Sequence, residues 1–143
     1  MNDLRSDRPH VLVVDDEPSV LEEVANALEP AELECQCCTT PEAAIAAAEL
    51  DPPDLIISDI NLGGHSGLAM CEQIKRTPAL GGVPVMFLSA AQAPDIVRRV
   101  HAAGGAYYLR KPFDPEVLRE LVDKALWLPH VANRRQQPVA TKA

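Results

Sequence analysis

Five short apolar runs, each followed by a helical pattern, constrain the fold more than any other feature of this sequence. Strands buried on both faces read as near-continuous apolar runs, and parallel strands need a long crossover between them, usually a helix. The alternation therefore predicts an α/β fold, a doubly wound five-stranded parallel sheet with five helices. The predicted strands cover residues 10–14, 33–38, 55–58, 83–88 and 106–109.

Capping signals predict where the helices begin. Thr40 precedes Pro41 and Glu42, and Asp114 precedes Pro115, so a capping side chain is followed by a proline in the first turn. Three other helices are predicted after residue 18, over 67–76 and over 94–102. The last helix is predicted to bury Val117, Leu118, Leu121, Val122 and Ala125.

Length and charge narrow the possible functions. The 143 residues fit one domain, and 13 Lys plus Arg against 21 Asp plus Glu give a net charge of −8. So acidic a chain cannot neutralise a phosphate backbone, which argues against direct nucleic-acid binding. The apolar runs are shorter than the roughly 20 residues of a membrane span, which argues against membrane insertion. Residues 1–9 also lack the apolar stretch of a secretory signal, so we expect a cytoplasmic protein.

The cysteines give no sign of a disulfide framework or of a paired C-x-x-C site. We expect all of them to be small buried side chains, with a metal or redox role as the minor alternative. They are Cys35, Cys37, Cys38 and Cys71.

Polar side chains follow four of the predicted strands at the point where each strand ends. They are Asp15, Asp16, Asp59, Asn61, Ser89 and Lys111. Because the carboxyl ends of parallel strands meet at one edge of the sheet, we expect these side chains to converge there. Carboxylate oxygens suit Mg²⁺, and a lysine and a hydroxyl can bind phosphoryl oxygens. An Asp beside Mg²⁺ can itself accept a phosphoryl group.

Four motifs at these strand ends resemble those of the receiver domains of bacterial two-component response regulators. They are Val13-Val14-Asp15-Asp16-Glu17, Leu55-Ile56-Ile57-Ser58-Asp59, Ser89-Ala90 and Lys111-Pro112-Phe113. The resemblance implies a receiver domain at 9–128, an N-terminal tail at 1–8 and a disordered tail or linker start at 129–143. It also implies a flavodoxin-like sheet with the strand order 2-1-3-4-5.

The resemblance implies a Mg²⁺ site around the phosphoacceptor. Asp59 is the expected phosphoacceptor and, with Asp16, forms the expected pair of direct Mg²⁺ ligands. Asp15 is expected to act mainly through bound water, and Asn61 through its backbone carbonyl.

The resemblance also implies how the phosphoryl group is held and sensed. Ser89 and Lys111 are expected to hold the phosphoryl oxygens, and the Lys111–Pro112 bond is expected to be cis. Tyr108 is expected to turn inward when Ser89 moves toward the phosphate. An ordinary aromatic side chain on a strand is the alternative for Tyr108.

The implied function is a phosphorylation-dependent switch whose phosphoryl donor is a sensor histidine kinase or a phosphotransfer protein. The fourth helix, the fifth strand and the last helix would form the face that binds a downstream protein or a second copy. No enzymatic activity is expected beyond self-phosphorylation and self-dephosphorylation at Asp59. A stand-alone protein and a piece of a longer regulator or hybrid kinase both remain open, since residues 129–143 are too few for an output domain.

An aspartate-nucleophile, Mg²⁺-dependent phosphatase is the alternative function. Phosphatases of the haloacid-dehalogenase type use a D-x-D triplet whose second acid is the general acid. The triplet here is Asp59-Ile60-Asn61, which lacks that acid.

The segment after Asp59 departs from the family pattern, which often has proline and acidic residues there. Gly63 and Gly64 are adjacent, and we expect them to loosen this loop. His65 is expected to be exposed, with control of phosphate access as the alternative. Ala91, two residues after Ser89, offers no polar group to a hydrolytic water.

Overall fold

Five parallel strands form the central sheet of the protein. The structure is a computed structural model that describes residues 8–90 and 93–127. The strands are β1 (His10–Val14), β2 (Glu34–Cys38), β3 (Leu55–Asp59), β4 (Val85–Ser89) and β5 (Tyr107–Arg110). Their order is β2-β1-β3-β4-β5, and all neighbouring strands are parallel. The predicted fold class and strand order are confirmed.

Five helices connect and cover the strands. They are α1 (Pro18–Leu28), α2 (Pro41–Leu50), α3 (Gly67–Arg76), α4 (Ile96–Ala102) and α5 (Pro115–Ala125). The side chains of Thr40, Ser66 and Asp114 cap α2, α3 and α5, each accepting a hydrogen bond from a backbone N–H at 2.8–3.1 Å. These caps satisfy helix donors that would otherwise lack partners, so the capping signals did predict helix starts.

The central strands send alternate side chains into two apolar layers. Leu12, Ile56 and Phe87 pack beneath α2, α3 and α4, whereas Val11 and Met86 pack beneath α1 and α5. All five of these side chains are fully buried. Close packing on both faces holds the carboxyl ends of β1, β3 and β4 at fixed positions along one edge.

Two predictions of burial are wrong. Val117 is 39% exposed and Leu121 is half-buried, because both lie at the rim of the apolar face of α5, whereas Leu118 is fully buried. Cys37 is exposed and Cys35 and Cys38 are half-buried, because β2 is an edge strand; Cys71 in α3 is buried as expected.

Several element boundaries differ from the prediction, most of them by one residue. The two largest differences are at the starts of β4 and α4. β4 begins at Val85 rather than at 83, since the N–H of Val83 closes a turn onto the carbonyl of Leu80 and Pro84 has no N–H to give. α4 begins at Ile96 rather than at 94, after a short turn.

Some predictions fall outside the described residues. They concern most of the tail at 1–8, the tail at 129–143, and Ala91. The domain boundaries at residues 9 and 128 remain predictions. In the part of the chain that is described, no helix has the length and apolar character needed to cross a membrane.

Candidate functional site

The carboxyl ends of four strands bring polar groups to one edge of the sheet. Asp15 follows β1, Asp59 ends β3, Ser89 ends β4 and Lys111 follows β5. Main-chain hydrogen bonds fix this edge: the N–H of Lys111 donates to the carbonyl of Ser89 at 2.9 Å, and that of Asp15 donates to the carbonyl of Cys38 at 3.1 Å. Each polar side chain therefore starts from an ordered backbone.

Lys111 bridges two carboxylates at this edge. Its Nζ donates to Asp15 Oδ2 at 3.1 Å and to Asp59 Oδ2 at 2.5 Å. The side chain of Asp15 is 2% exposed, and those of Asp59 and Lys111 are 13% and 16% exposed. Attraction between charges so shielded from water is stronger than in a surface ion pair. The Lys111–Pro112 bond is cis, as the resemblance implied.

Burial and charge act on these side chains in opposite directions. Burial raises the pKa of Asp15, although hydrogen bonds from the Glu17 N–H (3.0 Å) and from Lys111 lower it. Burial lowers the pKa of Lys111, but its hydrogen bonds to Asp59 and Asp15 and their charges outweigh burial, so the net pKa is raised. The lysine is thus firmly charged, while the charge of Asp15 is disfavoured and would be relieved by another cation.

The backbone around Asp59 is closely fitted. Asp59 Oδ1 accepts from the N–H of Asn61 at 2.8 Å, and the buried Ser58 hydroxyl donates to the Asp59 carbonyl at 2.8 Å. A Cβ on Gly67 would lie 2.1 Å from that same carbonyl oxygen, so only glycine fits there. The sequence analysis gives neither Ser58 nor Gly67 a role at the site. A serine at the end of an apolar strand and a glycine at the first position of a helix were the signals that could have indicated these roles.

A tight hairpin follows Asp59. Residues 61–66, the site hairpin, pair Asn61–Leu62 antiparallel with His65–Ser66. Gly63 and Gly64 form the turn with φ of +58° and +92°. Positive φ at both central positions is the geometry of a two-residue turn whose twist matches the strands it joins. The two glycines therefore have a defined role in this turn, whereas the sequence alone suggested only a loosened loop.

The other predicted residues lie around this centre. Asp16 is exposed beside the site hairpin, and His65 is exposed as expected. Ser89 is buried at the end of β4. Tyr108 is half-buried and packs against the apolar layer beneath α2, α3 and α4. The structure thus joins Asp15, Asp59 and Lys111 by direct contact.

The donor atoms at this edge fit Mg²⁺. Within residues 8–90 and 93–127, no three His, Cys, Asp or Glu side chains are arranged as a complete metal site. Mg²⁺ does not need such a set, since it binds through one or two carboxylates and keeps several waters or phosphate oxygens. The carboxylates of Asp15, Asp16 and Asp59 supply oxygen donors only, which is the chemistry this ion prefers.

A comparison with protein-family models identifies the family of this chain. Residues 11–123 match the family described as the response regulator receiver domain. The chain belongs to this family. Receiver domains are phosphorylation-dependent switches of two-component systems rather than dedicated enzymes, so the phosphatase alternative has no support.

This receiver is similar to parts of larger regulators. It is 36% identical over 117 residues to the DNA-binding transcriptional regulator NtrC of Salmonella typhimurium, covering 81% of this chain and 24% of that protein. It is also 36% identical over 112 residues to the phosphate regulon transcriptional regulatory protein PhoB of Pseudomonas aeruginosa, covering 78% of this chain and 48% of that protein. The receiver thus spans less than half the length of either relative.

A solved structure supports the fold. The chemotaxis protein CheY4 of Vibrio cholerae superposes with a TM-score of 0.78 at 28% identity, over 83% of this chain and 99% of that one.

Proposed function

We propose that Asp59 accepts a phosphoryl group from a sensor histidine kinase or a phosphotransfer protein. The observation that carries this proposal is the position of Lys111 Nζ, which contacts Asp59 Oδ2 and Asp15 Oδ2 together. In the transfer, an Asp59 carboxylate oxygen bonds to phosphorus while the bond from phosphorus to the donor's imidazole nitrogen breaks. The lysine then balances the charge that the phosphoryl oxygens bring.

The proposed Mg²⁺ ligands are Asp16 and Asp59 directly, Asp15 through water, and the backbone carbonyl of Asn61. The support is the oxygen-only chemistry of this edge together with the raised pKa of Asp15, whose charge lacks full compensation. When bound, Mg²⁺ would neutralise charge on the phosphoryl oxygens. The chain's own part is to hold Asp59 in place, through the Asn61 N–H on one oxygen and Lys111 on the other.

The proposed phosphoryl-binding groups are Lys111 and Ser89. Their main chains are joined by the hydrogen bond from the Lys111 N–H to the Ser89 carbonyl. The Ser89 hydroxyl can donate to a phosphoryl oxygen by moving toward Asp59. Tyr108, on the neighbouring strand, would then pack further inward, and the face of α4, β5 and α5 would change shape.

The α4–β5–α5 face is the proposed output surface, for a downstream protein or a second copy and not for nucleic acid. It carries exposed side chains of mixed character, including Val97 at 63% exposure and the neighbouring Arg98 and Arg99.

Action in the cytoplasm is also proposed, since the chain has an exposed free thiol at Cys37, which suits a reducing compartment.

Phosphorylation of variants tests the acceptor. Incubation with acetyl phosphate and Mg²⁺ should label the wild type, and EDTA should prevent labelling. Asp59→Asn should abolish the label on phosphate-affinity gels, whereas the matched control Asp123→Asn, on the exposed face of α5, should be labelled like the wild type. An Asp59→Asn protein labelled at the wild-type rate would contradict the proposal.

Beryllofluoride tests the switch. Bound as a phosphoryl mimic, it should shift amide resonances over β4, α4 and β5 far more than those of α1. Ser89→Ala should keep phosphorylation at Asp59 and lose the distant shifts. If the full set of shifts persists in Ser89→Ala, the route through this hydroxyl is wrong.

A further inference from the structure

The turn of the site hairpin lies against the carboxylate of Asp16. A Cβ built on Gly63 would be 3.3 Å from Asp16 Oδ2 and 3.5 Å from Asp16 Cβ. The same atom built on Gly64 meets nothing within 4 Å. Both glycines have positive φ, so they share the backbone requirement of the turn. The contact with Asp16 belongs to Gly63 alone of the two.

The site hairpin is fixed at both ends. The N–H of Asn61 donates to Asp59 Oδ1 at 2.8 Å, and Leu62 is 1% exposed beneath the turn. Ser66 caps α3, and the Gly67 N–H donates to the Ile60 carbonyl at 2.7 Å. The backbone of Gly63 is therefore held in position from both sides of the turn.

Asp16 differs from the other two carboxylates of the site. Among residues 8–90 and 93–127, its carboxylate makes no hydrogen bond or ion pair, whereas Asp15 and Asp59 are both held by Lys111. Steric contact is what remains to restrict its orientation. The backbone of Gly63 is close enough to provide such contact.

We infer that Gly63 is a positioning residue for the Mg²⁺ site. Because glycine has no side chain, the Asp16 carboxylate can occupy the space beside it and keep the orientation in which it binds the metal. The inference rests on the proposed metal ligands. At 3.3 Å, an added Cβ obliges the carboxylate to move by a few tenths of an ångström or to rotate away. Mg²⁺ demands near-ideal octahedral geometry, so a misplaced ligand weakens binding. Residues that orient metal ligands typically change metal affinity by about 10–100-fold when mutated.

Mg²⁺ titration of paired glycine variants tests the inference. Calorimetry on the full chain gives the dissociation constant for Mg²⁺ alone, and unfolding in EDTA gives the metal-free stability. Gly63→Ala and Gly64→Ala both place a Cβ at a positive φ, so both should lower the melting temperature in EDTA. Gly63→Ala should raise the dissociation constant about tenfold, while Gly64→Ala should stay close to the wild type.

A double-mutant cycle shows whether the effect passes through Asp16. In an Asp16→Ala background, Gly63→Ala should cause no further loss of Mg²⁺ affinity, because the displaced carboxylate is already absent. Gly63→Asn carries the same Cβ on a residue that accepts left-handed backbone more readily, and should show the same loss. This second variant serves if the alanine variant does not fold.

The outcomes separate this inference from the proposed function. If Asp16→Ala loses Mg²⁺ affinity but Gly63→Ala binds like Gly64→Ala, the positioning role is overturned and the metal site stands. If Gly63→Ala weakens binding equally with and without Asp16, the role is also overturned. If Asp16→Ala binds like the wild type, the proposed ligand set falls together with the inference.

Discussion

Strand β3 has a carboxylate at each end, and the two carboxylates have different partners. At the amino end, Asp54 Oδ2 accepts from the His10 N–H at 2.8 Å, and the Asp54 N–H donates to the His10 carbonyl at 2.7 Å. At the carboxyl end, Asp59 Oδ2 accepts from Lys111 Nζ. Asp54 is tied to main chain that cannot leave, whereas Asp59 is tied to a flexible side chain. One carboxylate completes the fold, and the other stays available to a reagent.

The surroundings repeat this contrast. Near Asp54, the ring of His10 is 3.0 Å from Gln36 Oε1 through Nε2, so the polar contacts join neighbouring strands. Near Asp59, charges of both signs lie close together, and main-chain bonds and a glycine hold the backbone. Stability at the carboxyl edge thus comes from the backbone, which leaves the charged side chains to the chemistry. Four sets of variants can break or sharpen this comparison.

Glycine substitutions should show the largest difference. Gly67→Ala places a Cβ 2.1 Å from the Asp59 carbonyl, so the backbone must shift, and we expect a loss of about 3 kcal/mol in unfolding free energy. Gly82, in the loop before the amino end of β4, has nothing within 4 Å of an added Cβ. Gly82→Ala should change stability by less than about 1 kcal/mol. Urea denaturation measures both, and equal losses would contradict the assigned roles.

Removal of the carboxylates at the two ends of β3, Asp54 and Asp59, should give the second-largest difference in unfolding free energy. Asp54→Ala leaves the His10 N–H without its acceptor, and we expect a loss of about 1–3 kcal/mol. Asp59→Ala should cost less without Mg²⁺, because Lys111 keeps its bond to Asp15. Chemical denaturation in EDTA compares them. A larger loss from Asp59→Ala would reverse the comparison.

Asp15→Asn should have the smallest effect, and it should be stabilising. Burial raises the pKa of Asp15 above its ordinary 3.8, so the folded state binds more protons and stability falls as pH rises through that window. Replacing this carboxylate should add about 0.5–2 kcal/mol without Mg²⁺ at neutral pH. The gain should vanish below pH 3.8, and denaturation curves from acid to neutral pH would show it. A gain independent of pH would exclude ionisation as the cause.

Lys111 gives the opposite dependence at alkaline pH. Its pKa is raised above 10.5 by Asp59 and Asp15, which outweigh burial, so its contribution is complete below 10.5 and is lost as pH rises through the folded-state value. Lys111→Met should remove this alkaline decline.

The sequence predicted the strand ends because the polar residues of the site come at, or within a few residues of, the end of an apolar run. Position after a buried strand is a local property, so Asp15, Asp59 and Lys111 could be found without a structure. The site hairpin could not be found in this way. Adjacent glycines permit a loose loop and a tight turn alike, and the pairing of Asn61 with Ser66 decides between them. Edge position decides burial in the same manner, which is why Cys37 was misjudged.

The main-chain hydrogen bond between the ends of β4 and β5 has a consequence for transferring such a site to another protein scaffold. The N–H of Lys111 donates to the carbonyl of Ser89. The Ser89 hydroxyl and the Lys111 ammonium are therefore positioned by the same main-chain hydrogen bond. A designer who moves one of them to a new scaffold must bring the register of both strands with it. The graftable unit is therefore the strand pair.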